Sequence, residues 1–287
     1  MTYALFLGCI APLRYPGIES STREILDRLG IKYTDLRGAS CCPAPGVFRS
    51  FDQRTWLSVG ARNLVLAEKN NSDVLVICNG CYASLKEVAH ELNKEKNLTE
   101  INDVLNEIGM KYSGSAKVKH IVEVLYEEVG TGRIKEKVVN ELELDIAVHY
   151  GCHLLRPSEI MVSDDPEKPH ILDELVEATG AKSLSYTDRM LCCGSGGGVR
   201  ARSPDVALRM TKIKLDIFKE AGAQAIVTPC PFCHLQYDSG QKELRKKGNG
   251  YNIPVLHVSQ LLALSFGVDR DKLGLKFHST PVNLEFD

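Results

Sequence analysis

This chain repeats itself, and the repeat limits its possible folds more than any other property. "YALFLGCIAPLRYP" (3–16) resembles "DIAVHYGCHLLRP" (145–157), each an apolar run that ends in Gly-Cys. "ILDRLGIKYTDLRGASCC" (25–42) matches "LVEATGAKSLSYTDRMLCC" (175–193), and "SDVLVICNGCYASL" (72–85) matches "AQAIVTPCPFCHLQ" (223–236). The tails agree too, with His120 of "KVKHIVEVLYEEVG" (117–130) set against His257 of "IPVLHVSQLLALSFG" (253–267). Self-similarity of this extent calls for two like units, 1–144 and 145–287. A length of 287 residues admits two units, each burying its own core.

Within each unit the hydrophobic pattern alternates between two periods. Residues 3–8 and 146–150 are short apolar runs of strand type. Residues 18–29 and 170–179 carry Ile, Leu and Val at helical spacing and end at a glycine, as a helix C-cap does. Residues 52–70 and 204–221 read as longer amphipathic helices, the second started by Ser203 as cap and Pro204 in the first turn. "VLVIC" and "AIVTP" are continuous apolar runs, the mark of a strand buried on both faces. Strand–helix–strand–helix order predicts an α/β fold: two tandem halves, each with a small, mostly parallel sheet. The polar, helix-prone segment 86–116 and the charged segment 130–144 read as solvated structure, the latter connecting the halves.

Ligands of open α/β sheets gather beyond the carboxyl ends of the strands, and that is where the cysteines fall. Cys9, the doublet Cys41-Cys42 and Cys78-x-x-Cys81 form one set. Cys152, the doublet Cys192-Cys193 and Cys230-x-x-Cys233 form the other, which accounts for all ten cysteines. A lone CxxC is weak evidence, whereas a five-cysteine pattern used twice is strong. Adjacent cysteines seldom bridge each other, because the ring they close is strained, while diverging neighbours readily reach two different atoms. Structural zinc takes four ligands, as does an ordinary [4Fe–4S] cube, leaving one thiol over in each set. Five ligands suit a larger or opened iron–sulfur cluster. Zinc, iron–sulfur and thiol–disulfide chemistry all remain open on counting alone.

The loops after the doublets differ. "CCGSGGG" offers successive amides to an anionic centre from residues without a Cβ, whereas "CCPAPG" sets Pro43 and Pro45 against Gly194 and Gly196. The two centres are therefore expected to differ in potential or exposure.

The formal net charge of −2 gives no case for nucleic acid or a membrane surface as partner. No apolar run approaches the length that spans a bilayer, and the first residues lack the basic region of a signal peptide. A cytoplasmic protein is expected, and a reducing compartment favours metal or redox use of cysteine over structural disulfides.

The doubled pattern resembles the tandem CCG cysteine-rich domains found in the B subunit of heterodisulfide reductase, over almost the whole chain. The second copy carries the literal Cys192-Cys193-Gly194, and the first departs at Pro43. The resemblance implies an oxidoreductase with two non-cubane [4Fe–4S] clusters, one on Cys9, Cys41, Cys42, Cys78 and Cys81, the other on Cys152, Cys192, Cys193, Cys230 and Cys233. It implies reduction of the mixed disulfide of coenzyme M and coenzyme B between the clusters, each delivering one electron and holding one released thiolate, in a setting of methanogenesis. It also implies partners in a multi-subunit complex: a ferredoxin-like iron–sulfur protein, a flavoprotein and often a hydrogenase, with no nucleotide or flavin in this chain. Related CCG pairs serve as electron relays in 2-hydroxy-acid-oxidising enzymes and in thiol:fumarate reductase, frequently with a ferredoxin module that is not found here.

Such a substrate needs an apolar cleft and cations for its anionic groups. Arg14 and Arg156 follow the first cysteine of each half, and Arg49, Arg200 and Arg202 follow the doublets. His153 and His234 directly follow Cys152 and Cys233, placed to donate to a cluster sulfur or a leaving thiolate. His120 and His257, matched in the repeat, are expected to share a structural task. Alternatives to the disulfide reductase are an electron relay of the same fold, a zinc-stabilised interaction module and a cysteine-based redox sensor.

Overall fold

The computed structural model describes residues 2–284. The first half forms a sheet of β1 (Tyr3–Phe6), β2 (Tyr33–Asp35), β3 (Asp73–Val76) and β4 (Val118–His120), in the order β2-β1-β3-β4. The second repeats it with β5 (Asp145–Val148), β6 (Lys182–Ser183), β7 (Ala225–Thr228) and β8 (Val255–His257), in the order β6-β5-β7-β8. Every neighbouring pair is parallel. Both sheets start in the middle, step to one edge and return past the start. That leaves a switch point between β1 and β3, and another between β5 and β7, where open parallel sheets place their ligands.

The central strands are the apolar runs of the sequence: β1, β3 and β7 are buried at every position. The helix expected at 18–29 runs Pro16–Leu29 and stops at Gly30, whose φ of 71° is left-handed; its counterpart is Ile171–Glu177. The longer pair are Gln53–Glu68 and Pro204–Glu220. Asp52 caps the former by accepting from the Thr55 amide. Ser203 does occupy the cap position before Pro204, but its hydroxyl makes no capping bond, so the proline ring alone sets that start. Segment 86–116 contains the helix Glu95–Asn106, and segment 130–144 holds the short helix Thr131–Lys135 and the chain leading into β5.

The halves interlock. The helix Val258–Ser265, last in the second half, packs on Pro16–Leu29 of the first, and Arg28 donates to the Phe266 carbonyl beside it. Reciprocally, the segment Val124–Val129 of the first half lies against Ile171–Glu177, where Tyr126 donates to Glu174 at 3.0 Å. The length admitted two separately cored units; the structure has one continuous apolar core across both halves. Val258–Ser265 buries Leu261, Leu262 and Leu264, at about 1.5–3 kcal/mol each. Their sum is comparable to the whole net stability of an ordinary domain, so neither half is expected to stand alone.

Candidate metal centre

Each cysteine set occupies the rim beyond its switch point. Cys9 and Cys152 follow β1 and β5, the doublets lie on the loops after β2 and β6, and the CxxC motifs open the helices Asn79–Glu91 and Pro231–Lys246 after β3 and β7. The glycines before the first cysteines make room for this. A Cβ on Gly8 would lie 2.9 Å from the Cys81 sulfur, and one on Gly151 would lie 2.7 Å from Asn79 Nδ2. Their φ values of 69° and 76° are costly for side-chain-bearing residues.

The ten thiols form one unbroken file. Contacts run from Cys9 to Cys41, Cys42, Cys81 and Cys78. Cys78 then meets Cys230 across the halves, with the sulfurs 3.8 Å apart. From there the file continues through Cys233, Cys193, Cys192 and Cys152, the Cys233–Cys193 sulfurs being 3.4 Å apart. In repeat positions the order is a palindrome, so the file has a pseudo-twofold centre at Cys78–Cys230.

Such crowding dictates how the thiols ionise. Cys42, Cys192 and Cys230 are held below the ordinary thiol range by hydrogen bonds from the thiols on either side. The other seven are pushed up, Cys9, Cys41, Cys78, Cys81, Cys152, Cys193 and Cys233, in each case first by hydrogen bonding to a neighbouring cysteine and further by burial. Ten thiolates cannot coexist here without cations among them. Soft sulfur donors converging on a buried rim fit iron–sulfur groups or zinc, and the residues present therefore suit the clusters that the resemblance implied. Around the second set, His149 Nε2, Ser195 Oγ and Thr228 Oγ1 are buried without a hydrogen-bond partner, as are polar atoms lining a site made for a further group.

The two sites are unequal, as the loops suggested. Cys9 and Cys41 are exposed, and a cavity of about 520 Å³ opens onto both; Cys152 and Cys192 are only half-exposed. The Gly194 amide donates to the Cys192 sulfur at 3.3 Å, a donor that Pro43 cannot supply in the first half. Buried side chains anchor both doublet loops from below. Asn63 Nδ2 donates to the Cys41 carbonyl and Ser84 to that of Cys42; Thr211 donates to the Cys193 carbonyl and Lys214 to Asp188 and Arg189 just upstream.

The candidate substrate residues scatter. Arg49 pairs with the buried carboxylate of Glu87, which also feels the charge of His153 from the other half, so these two candidates do converge. Arg156 is held by Glu167 and the Pro166 carbonyl, and Arg200 by Gln236 and Glu243. Arg14 and Arg202 have no side-chain hydrogen bond or ion pair among the described residues. Arg202 lines a cleft of about 540 Å³ where the doublet loops meet, with Val47, Phe51, Val199 and Val206 as apolar wall. There a Cβ on Gly46 would come within 2.8 Å of the Gly197 backbone.

His234, expected beside a sulfur, instead packs its ring edge-on against Tyr15 and His278, with centroids 4.5 and 4.7 Å away. Its position after Cys233 puts it on the helix face turned to that aromatic group. His149 does sit at the sulfurs: a ring nitrogen lies within 4.8 Å of the Cys193 and Cys233 sulfurs. Sequence reasoning passed over it, though it ends the strand run of "DIAVHYGC" where the first copy has Phe6. Desolvation pushes its pKa down to about 3, so the ring is neutral.

The cysteine-rich domain family CCG matches residues 3–86 and 146–238. The chain is 52% identical to the B subunit of ferredoxin:CoB-CoM heterodisulfide reductase from Methanosarcina mazei, over 99% of this chain and 95% of that one. It is 35% identical to the 8-methylmenaquinol:fumarate reductase membrane anchor subunit of Wolinella succinogenes, over 95% of each. The crystal structure of a hypothetical protein from Helicobacter pylori shares the fold, with a TM-score of 0.75 at 15% identity, covering 99% of this chain and 53% of that one. No helix among the described residues is long and apolar enough to cross a membrane. With its two cysteine sets, its duplicated parallel sheets and a full-length relative at this identity, the chain belongs to the heterodisulfide reductase B-subunit family of tandem CCG cysteine-rich oxidoreductases.

Proposed function

We propose that the chain is the catalytic component of a disulfide reductase, with the mixed disulfide of coenzyme M and coenzyme B as substrate. In this reading each set of five cysteines holds a non-cubane [4Fe–4S] cluster, the duplicated units being 1–144 and 145–287. The observation that carries it is the single file of ten thiols meeting at Cys78 and Cys230, 3.8 Å apart. Two centres so close can act on one bond.

Reduction puts two electrons into the S–S bond, which breaks to leave two thiolates; two protons complete two thiols. The clusters, when bound, supply those electrons one each and a soft site for the thiolates. The protein has to bind, orient and protonate. The cleft between the doublet loops offers apolar walls for an alkyl chain and the unpaired guanidinium of Arg202 for an anionic end. Arg14 also has no side-chain partner among the described residues, and Arg49 and His153 gather at Glu87. His153, half-buried directly after Cys152, is positioned as a proton source for a departing thiolate. Electrons come from a ferredoxin-like iron–sulfur protein and a flavoprotein of the same complex, with a hydrogenase behind them, in the cytoplasm.

The test is anaerobic purification with iron and sulfide analysis, EPR, and turnover of the mixed disulfide by reduced viologen. About two clusters per chain and thiol release are expected. Zinc in a colourless protein would remove the reading. The quinol-linked relative favours one rival, an electron relay. Clusters that reduce and reoxidise while no disulfide is consumed would select it.

A further inference from the structure

His149 stands at the carboxyl end of β5, its amide bonded to the Val227 carbonyl at 2.8 Å. Its ring is fixed from the other side by Tyr237, whose hydroxyl lies 3.2 Å from Nδ1 and whose ring meets it edge-on at 5.0 Å. Both side chains are sealed from solvent, His149 at 1% exposure and Tyr237 at 0%. The buried Tyr237 hydroxyl has no other acceptor among the described residues, so its hydrogen goes to Nδ1. The neutral ring then carries its own hydrogen on Nε2. That atom is buried and has no partner, a costly state if nothing ever accepts from it.

The ring lies beside the second cysteine set. A ring nitrogen lies within 4.8 Å of the Cys193 and Cys233 sulfurs, yet neither sulfur is within hydrogen-bond reach. The missing acceptor is the group those cysteines hold. The matching positions of the first half carry no such pair. In the repeat, Phe6 takes the place of His149 and Leu85 that of Tyr237, and both are buried and apolar. The pair is thus a private feature of one site, built from two positions far apart in sequence that differ together from their counterparts.

We propose that His149 is a positioning and tuning residue, donating an Nε2–H hydrogen bond to the iron–sulfur group on the second cysteine set and raising that group's reduction potential. Tyr237 orients it by fixing the tautomer. Hydrogen bonds to cluster sulfur stabilise the more negative, reduced state, which is why they raise the potential. The donor makes the second centre easier to reduce than the same centre without it, and leaves the first centre untouched. The proposal rests on the cluster-bearing function above.

The experiment is an EPR-monitored redox titration of the anaerobically purified, cluster-loaded complex, with iron and sulfide measured per chain. The variants are His149→Phe, which copies the first half, and His149→Gln, which keeps an amide donor at the same reach. The expected result is full iron content in both variants. One midpoint potential falls in His149→Phe and the other stays put; His149→Gln lies near the parent protein. Two unchanged potentials in His149→Phe would overturn the proposal while leaving the clusters established. Loss of about half the iron would also overturn it, by making His149 a ligand or a scaffold, and so would an equal shift of both potentials. A parent complex without iron would overturn the underlying reading instead.

Discussion

The Nε2 of His257 donates across the two halves to the carbonyl of Ile77, 3.1 Å away, the residue just before the CxxC cysteine Cys78. The same ring caps its own helix, Nδ1 accepting from the Ser259 amide at 3.2 Å. His120 caps its helix identically, through the Val122 amide. The two histidines matched in the repeat thus share a capping task, and His257 also steadies the other half.

Replacing His257 by Ala removes a cap and orphans the Ile77 carbonyl, for an expected loss of about 2–4 kcal/mol; His257→Asn retains the cap and loses less. Burial lowers the His257 pKa to about 4, against the opposing pull of the Ile77 carbonyl and Cys230. Because the folded value lies below the unfolded one near 6.5, the unfolded chain binds the extra proton between those values. Stability therefore falls as pH drops from 6.5 to 4, by up to about 1.4 kcal/mol per pH unit from this group. Anaerobic urea unfolding at several pH values measures both, and a slope unchanged in His257→Asn would count against the assignment.

Position along the thiol file sets how far a cysteine substitution reaches. Cys9→Ser or Cys152→Ser, at the ends, should cost about half the iron and one EPR signal. Cys78→Ser or Cys230→Ser, at the junction, should disturb both signals. Iron per chain and EPR decide it.

Gly8→Ala and Gly151→Ala each combine a left-handed backbone with a Cβ driven onto a site atom, Cys81 Sγ or Asn79 Nδ2. Gly222 has the same backbone sign, φ +78°, but open space around it. All three alanines should lose about 1–2 kcal/mol to backbone strain, and only the first two should also lose iron. Melting temperature set against iron content separates the effects.

Arg202→Ala is expected to raise the KM for an anionic disulfide by about 10-fold or more, the worth of one charge-assisted hydrogen bond, while leaving both cluster potentials in place. Steady-state kinetics with a viologen donor test it. An unchanged KM would place the substrate elsewhere than in the cleft between the doublet loops.

Much of this molecule was legible in the order of its residues, for local reasons. β1, β3 and β7 announce themselves because a strand covered on both faces must be apolar throughout. β2 and β6 escaped notice because they are edge strands of three and two residues, largely exposed, with no apolar run to read. The ten cysteines stood out by spacing, but their palindromic order did not, since Cys78 and Cys230 are 152 positions apart and meet only through the pseudo-twofold. The role of His149 was hidden for the same reason: its neighbours come from a loop near 193 and a helix start near 233. Arg49 looked free until Glu87, from another helix, took it up.

Interlocked halves bear on which substitutions the protein can accept. A pair of identical chains clasped in this way would be bound to carry every change twice, once at each centre. Joined as a single polypeptide, the two copies hold the same clasp while each writes its own residues. Phe6 opposite His149 and Pro43 opposite Gly194 are changes of that kind. The shared clasp keeps the two thiol sets facing each other, and the broken equivalence lets each set keep surroundings of its own.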